Sequence, residues 1–288
     1  MSQDLSRSKA LIAESLLWDN HGCMPLRVED AFLPQLERYR QAGVSIASLN
    51  VGFDQFEWHH MFRIIAHFRG WIERHPEHYV LADSVKAIED ARCTNKPAVF
   101  FDIEGGCAID DKISLIPTYY ELDVRWMLLA YNNNNRVGGG CHDEDCGLTA
   151  VGKQVLDEMG RVGMVACCSL VGPRTALETM EYSAKPVILS HTNTRVMWDH
   201  PRNVRDEEMK ACAATRGVLG LNGIGIFLGN NEATARGYVE HLDYAVQLIG
   251  PDHVGMGLHY VFDMQELDDY VGDNTPSCFP PSTAIRAA

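Results

Sequence analysis

The sequence predicts an α/β fold, a single-domain (β/α)8 barrel, on three observations. Within 288 residues, about eight short apolar runs recur, each bounded by turn residues. The runs are continuous rather than alternating, as parallel strands covered on both faces require. Between them lie stretches whose apolar residues recur at helical spacing. Eight such units in one chain of this length close most simply into a barrel. A doubly wound open sheet is the competing architecture. It needs a glycine-rich phosphate loop after the first strand, and Trp18-Asp19-Asn20-His21-Gly22-Cys23 has none. Gly138-Gly139-Gly140 runs into Cys141 rather than into an apolar helix, so it reads as a flexible loop. The domain covers 1–288, with 1–10 and 272–288 as peripheral tails.

The predicted strands are 15–21, 44–51, 97–104, 124–131, 162–169, 186–191, 217–222 and 253–258. Phe32, Leu33, Leu36 and Tyr39 mark one face of a helix that Gly43 can stop. Met61, Ile64, Ile65, Phe68 and Ile72 mark another, ended by Pro76. Ser84 is placed to cap a short helix through Ala91, and Thr149 one that carries Val151, Val155 and Met159. Asp206 precedes Met209 and Ala213. Thr234 opens the long stripe Tyr238, Leu242, Ala245 and Ile249, which stops at Gly250-Pro251. Met24, Met61 and Met127 read as packing residues, and His59-His60 as a surface pair on a helix.

Composition narrows the function. The net charge is −14, from 25 basic and 39 acidic residues, which disfavours a nucleic-acid partner. No uninterrupted apolar stretch nears the roughly 18 residues of a membrane-spanning helix. Residues 1–7 are polar and Glu14 breaks the next apolar stretch, so no export signal is expected. Nine cysteines without such a signal read as reduced thiols in a cytoplasmic protein.

In a barrel, chemistry gathers at the C-terminal ends of the strands. Those ends carry Asp19, His21 and Cys23; Asn50; Asp102 and Glu104; Tyr131 to Asn135; Cys167, Cys168 and Ser169; Ser190 and His191; Asn222; and His259 with Asp263. Imidazole, thiol and carboxylate on one rim are the donor set of a zinc-type ion. His21 and Cys23 stand two apart on an extended segment and so share a side. Glu104 ends the apolar run Val99-Phe100-Phe101-Asp102-Ile103, where a carboxylate needs a partner. Arg125 or Arg136 is the alternative partner to a metal. Residues 141–146, Cys-His-Asp-Glu-Asp-Cys, read as a solvated acidic loop in preference to a structural zinc site.

These motifs resemble the membrane (renal) dipeptidase family, a metal-dependent branch of the amidohydrolase superfamily, from about residue 11 to residue 263. Asp19-Asn20-His21-Gly22-Cys23 is similar to the family's Asp-Gly-His-Asn-Asp opening. Asp102-Ile103-Glu104-Gly105-Gly106 resembles its Glu-Gly-Gly motif. Leu128-Leu129-Ala130-Tyr131-Asn132 resembles Leu-Thr-His-Asn, and Gly147-Leu148-Thr149 matches Gly-Leu-Thr. Pro186-Val187-Ile188-Leu189-Ser190-His191, Pro201-Arg202-Asn203-Val204 and Val254-Gly255-Met256-Gly257-Leu258-His259-Tyr260 complete seven motifs in the family's order.

The resemblance implies His21 as ligand of a first metal, Glu104 as bridging carboxylate and His191 as ligand of a second. Cys23 stands where the family has a ligating aspartate, and a thiolate can replace it. Arg202 would hold a substrate carboxylate by two points, with Tyr131 and Asn132 beside it. Tyr131 replaces an orienting histidine, and His259 replaces the aspartate that meets the substrate amine. Leu170 falls on the second metal's other histidine. The alternative is a shifted alignment in which Cys167 or Cys168 turns toward the ions; Cys168 shares the strand face of Leu170 and would substitute if the strand ended earlier.

The expected activity is metal-dependent hydrolysis of a dipeptide or small amide. Glu104, His259 and Tyr131 are the catalytic groups, with Asp263 as another proton carrier. The metal ligands are His21, Cys23, Glu104 and His191. Zinc is the expected cofactor, one ion tightly held and a second weak or absent. A barrel that has lost turnover and binds a small ligand or partner is the alternative. A homodimer is compatible with the sequence.

Overall fold

The structure, a computed structural model, describes residues 2–265. Its strands are β1 (Trp18–Cys23), β2 (Ile46–Phe53), β3 (Val80–Leu81), β4 (Ala98–Glu104), β5 (Val124–Leu128), β6 (Val165–Cys167), β7 (Val187–Thr192), β8 (Leu219–Leu221), β9 (Val254–Met256) and β10 (Tyr260–Val261). All pair in parallel, in the order β10-β1-β2-β4-β5-β6-β7-β8-β9. Asp19 on β1 pairs with Met256 on β9, so the first and eighth strands of the barrel proper are neighbours and the sheet is closed. The short β3 and β10 are additions to it, alongside β4 and β1.

The apolar runs are strands because they are covered twice. Every residue of β4 is buried, with Asp102 and Glu104 two apart and alternating with Phe101 and Ile103. Phe101 meets Phe68 of the helix Trp58–Glu73, ring centroids 6.4 Å apart. That helix buries Met61, Ile64, Ile65, Phe68 and Ile72, the stripe read from the sequence. Burying each such side chain is worth about 1.5–3 kcal/mol, and this layer carries the fold.

The capping residues act as expected. Ser84, Thr149 and Thr234 accept from the backbone of Ala87, Gly152 and Gly237. Gly43 ends the helix Glu37–Ala42 at φ 82°.

Several boundaries differ from the expectation. The sixth strand begins at Val165, not at 162, because the helix Ala150–Val162 keeps its last turn until Gly163. The first begins at Trp18, because the helix Ser2–Glu14 precedes it, with Ser15 bonded back to Leu11. Leu33–Leu36 form a 3-10 turn before the short helix, with Pro34 near its start. His60 is half-buried, stacked on Phe56 and bonded to the Leu26 carbonyl, so only His59 is a surface histidine. Met61 and Met127 are fully buried, and Met24 nearly so. The expected tail 272–288 lies outside the described residues.

Candidate functional site

A bulge in β1 prepares the site. Between Asp19 and Gly22 the register against β2 shifts, since three steps on β1 match two on β2, from Ala47 to Leu49. Asp19 is therefore spent on structure: it accepts from Tyr39 Oη at 2.6 Å and from the Leu258 N–H at 2.8 Å. His21 and Cys23 are brought together, Sγ to Nε2 at 3.4 Å.

The orientation of His21 is set by β4 and β2. Its Nδ1 lies 3.1 Å from Asp102 Oδ1. Asp102 also accepts from Ser48 Oγ at 2.6 Å and Asn50 Nδ2 at 3.1 Å. With Nδ1–H given to a fixed carboxylate, Nε2 is the nitrogen left for the site, the arrangement typical of a metal-ligating histidine. The sequence showed Asp102 at a strand end but gave it no role. The signal was there in the Asp-x-Glu spacing on one strand, which puts both carboxylates on one face.

Glu104 lies between the two histidines. Its Oε2 is 3.6 Å from His21 Nε2 and its Oε1 is 3.1 Å from His191 Nε2. His191 in turn has Nδ1 at 2.8 Å from Ser190 Oγ. The His21 and His191 rings stack at 4.1 Å, and His259 stands edge-on to both, at 4.7 and 5.0 Å. His259 is held at φ 55°, an unusual backbone for a side chain of that size. Asn222 Nδ2 approaches its Nδ1 at 3.5 Å.

Two donor groups therefore form, His21–Glu104–His191 and His21–Cys23–His259, each with ligand atoms within 4.8 Å of one another. The four ligands expected from sequence fall in these groups, and His259 joins them as a further donor.

The electrostatics match a site that awaits a cation. Burial pushes Glu104 up to about 7, with Asp102 adding to it, and raises Cys23 as well. Burial pulls His191 and His259 well below the usual histidine range, reinforced by the charge placed on His21. For His21, burial is outweighed by Asp102, Cys23 and Glu104, which hold it well above that range. Glu104 Oε1 and His191 Nε2 are buried facing each other at 3.1 Å and make no hydrogen bond. Buried orphans of this kind fit a metal, since nitrogen, sulfur and carboxylate oxygen are its donors and a positive ion would favour the ionised thiol and carboxylate.

A cavity of about 120 Å³ opens on these groups, lined by Cys23, Met24, Pro25, Leu26, Asn50, Phe53, Phe56, Glu104, Tyr131, His259, Val261 and Asp263. Tyr131 stacks on Phe53 at 5.1 Å. Its backbone is held by Asp54, which also accepts from the Cys107 N–H and Asn135 Nδ2. Gly105 is required beside Asp54: it sits at φ +130°, and a Cβ there would lie 1.9 Å from Asp54 Oδ1. Arg202 is not part of the cavity lining. It is buried, with Nη1 at 3.4 Å from Asn132 Oδ1 and the guanidinium 4.8 Å from the Phe227 ring. Its charge nevertheless acts on Glu104, His191 and His259.

Leu170 is fully buried in the turn after β6. The thiol beside the His191 side of the barrel is Cys167, 3.0 Å from Ser190 Oγ, and not Cys168, which lies with Thr179 and Cys212. Strand alternation sends neighbouring residues to opposite faces, and the pair lands the other way round from the expectation. Residues 141–146 are a scaffold loop. Asp143 accepts from Asn133 Nδ2 and the Asn134 N–H, while Asp145 accepts from the Arg174 and Thr175 N–H groups that open the helix Pro173–Tyr182.

Comparison with known proteins places this site in context. The family model described as membrane dipeptidase, peptidase family M19, matches residues 5–270. An uncharacterized dipeptidase of Schizosaccharomyces pombe is 31% identical over 181 residues, 59% of this chain and 43% of that protein. Human dipeptidase 3 is 25% identical over 190 residues, 63% of this chain and 39% of that protein. The chain thus aligns with less than half the length of these curated relatives. A crystal structure of an amidohydrolase from Pseudomonas aeruginosa superposes with a TM-score of 0.82 at 27% identity, covering 88% of this chain and 76% of that one. A Rhodobacter sphaeroides metallopeptidase shares the fold, with a TM-score of 0.75 at 16% identity over 93% of this chain and 94% of that one. With its closed barrel, its strand-end donors and a family match over nearly its whole length, the chain belongs to the membrane dipeptidase family.

Proposed function

We propose that this chain hydrolyses the amide bond of a dipeptide or similar small amide with the help of a bound zinc ion. The observation that carries the reading is the placement of Glu104 between His21 and His191, with Glu104 Oε1 and His191 Nε2 buried 3.1 Å apart and making no hydrogen bond. His21, Cys23, Glu104 and His191 are the ligands we assign, and His259 stands within reach of His21 and Cys23. The ion would supply Lewis acidity to the carbonyl and make water acidic near neutral pH.

The rest is work for the chain's own side chains. We assign His259 as the proton carrier: it lines the cavity, and Asn222 Nδ2 lies 3.5 Å from its Nδ1. Tyr131 orients the substrate from the opposite wall, and Arg202 with Asn132 takes its carboxylate. Met24, Leu26, Phe53 and Phe56 exclude water and suit an apolar side chain.

One tightly held ion is the stoichiometry we assign. His21 is common to both donor groups, and its Nδ1 is spent on Asp102. A single nitrogen cannot serve two ions, and Leu170 offers no replacement. The second reading, a barrel that binds a ligand without turnover, draws on that same Leu170.

Purification without added metal followed by elemental analysis and a dipeptide hydrolysis assay separates the two. Zinc near one equivalent with hydrolysis supports the enzyme. Zinc without turnover supports the binding protein, and absence of metal sinks the site itself.

No helix among the described residues is long and apolar enough to cross a membrane. The described cysteines are all free, which supports placing the protein in the reducing cytoplasm.

A further inference from the structure

A (β/α)8 barrel is ordinarily filled by layers of side chains. Here the layer at the N-terminal ends of the strands is incomplete. Alternation puts Phe100 on the inward face of β4 with Asp102 and Glu104. Registered partners on neighbouring strands share a face, so Trp126, opposite Asp102, and Val165, opposite Trp126, also point inward. So does Ile188, whose partner Cys167 stands two residues on from Val165. On β9 the wall includes Gly255, which brings no side chain to fill the space. What remains is a cavity of about 510 Å³. Trp18, 40% exposed, and Val85, 72% exposed, stand at its mouth. Val165, Ile188 and Val218 line it and are only half-buried, so it opens to solvent.

The metal donors lie toward the other ends of the strands. Trp126 separates the two regions: it lines this lower cavity, and its ring lies 5.7 Å from His21 and 6.3 Å from His191. Four aromatic side chains border the space, Trp18, Phe100, Tyr120 and Trp126, with Trp18 edge-on to Phe100 at 5.7 Å. Its polar groups are largely engaged. Asn20 Nδ2 donates to the Ser190 carbonyl at 3.4 Å. Arg125 donates to the Tyr120 carbonyl at 2.6 Å and to Asp123 at 3.1 Å, with its guanidinium over the Tyr120 ring. Asp123 also pairs with Arg69 and feels the charge of Asp83, so two cations stand against two anions here. The exceptions are Arg125 Nε and Trp126 Nε1, buried without a partner. Both are donors, which disfavours a cation, and the balanced charges leave an anion no counter-ion.

We propose that the N-terminal mouth of the barrel is a second ligand site, which takes a neutral fused aromatic molecule of the size of indole. Burial of both ring faces gains the hydrophobic contribution, and contacts with the aromatic wall add to it. A charged ligand would be desolvated there without a partner. Ligand pockets run to roughly 300–1,000 Å³, and about 150 Å³ suffices for benzene, so fused rings have room. A molecule bound here meets the opposite end of the barrel from the metal donors. It is therefore an effector or cargo rather than the substrate, and the inference does not rest on the hydrolase reading.

The test is a titration of the full chain, isotope-labelled on nitrogen, followed through its five tryptophan indole N–H signals by nuclear magnetic resonance. The probes are unlabelled indole, indoleacetate and tryptamine. Indole is expected to shift Trp18 and Trp126, assigned with Trp18→Phe and Trp126→Phe, and to leave Trp58, Trp71 and Trp198 in place. The anion and the cation should bind roughly tenfold or more weakly, because each buries an unpaired charge. Val218→Phe and Val165→Phe fill the space from two different strands, and each should weaken indole roughly tenfold or more by taking its apolar contacts. Trp18 unmoved by indole would overturn the proposal. If Trp126 alone shifted, indole would be in the upper cavity. If the chain instead sedimented as a dimer, the mouth would belong to a second copy. Tighter binding of indoleacetate or tryptamine than of indole, or unchanged indole affinity in both folded filling variants, would overturn it as well. The readout needs neither metal nor turnover, so its failure and that of the hydrolase reading are told apart.

Discussion

Asp102→Asn tests the site through a residue expected to touch neither metal nor substrate. Asp102 is fully buried and accepts three hydrogen bonds, from Ser48, Asn50 and His21. Asparagine keeps the shape and one oxygen, and the Ser48 hydroxyl can turn to accept from the new amide. The negative charge behind the imidazole is lost, and with it the basicity lent to Nε2. Changes to such supporting partners typically cost 10–100-fold in metal affinity, which is about 1.4–2.8 kcal/mol at 1.4 kcal/mol per tenfold. The assay is zinc binding in competition with a chromophoric chelator, beside thermal unfolding of the same metal-free sample. The expected result is weaker zinc with a melting point lowered by only a few degrees. Zinc affinity within a factor of two of the parent would refute the reasoning, because His21 would then not be acting through its Nε2.

Leu170→His should add a second equivalent of zinc on elemental analysis, and an unchanged equivalent in folded protein would remove Leu170 from the second-ion position. Arg202→Ala should raise the KM of an acidic substrate by about 1.5–3 kcal/mol of lost charge-assisted contact, read against an unchanged metal content. Gly105→Ala should destabilise the chain, since it sets a Cβ 1.9 Å from Asp54 Oδ1 at φ +130°; a melting point equal to the parent's would contradict that geometry. Glu208 is buried, and burial raises its carboxyl from 4.5 to about 7, so its folded form favours the proton. Its part in stability is therefore greatest below pH 4.5 and is lost as pH rises toward 7. Glu208→Gln should remove that loss, up to about 3 kcal/mol, as measured by urea unfolding at pH 5 and pH 8. An identical pH dependence in both chains would show that Glu208 is not the group responsible.

The barrel was legible because buried parallel strands are written as unbroken apolar runs, and because Ser84, Thr149, Thr234, Gly43 and Gly250 mark the ends of helices. What failed was local. At Val162 an apolar residue serves the last turn of a helix as well as it would serve a strand, and only Gly163 distinguishes them. At the site, His21, Cys23 and Glu104 could be placed together from alternation along single strands. Their mutual distances depend on closure of the sheet. The roles of Asp54, Asp102 and Ser48 are long-range: each bonds across elements 50 or more residues apart in sequence, which no local pattern encodes. Cys167 and Cys168 could not be told apart, because which face a three-residue strand presents is set by its neighbours and not by its own sequence.

The unusual residues of the centre make chemical sense when taken together. A thiolate at Cys23 brings more electron density to an ion than a carboxylate does, and it favours zinc over harder cations such as magnesium. His259 brings a third donor to the same side, within reach of His21 and Cys23. Donor strength is thereby concentrated on one half of the site. Leu170 leaves the other half with His191 and a share of Glu104. The same three positions also reshape what the substrate meets. With a neutral imidazole at His259 facing the cavity, no fixed negative charge at that residue holds an ammonium group. In the function proposed above, recognition at this centre is weighted toward the acid end of the substrate, through Arg202. On that proposal, a loss of amine selectivity and a loss of the second ion are two consequences of one redistribution of donors around His21.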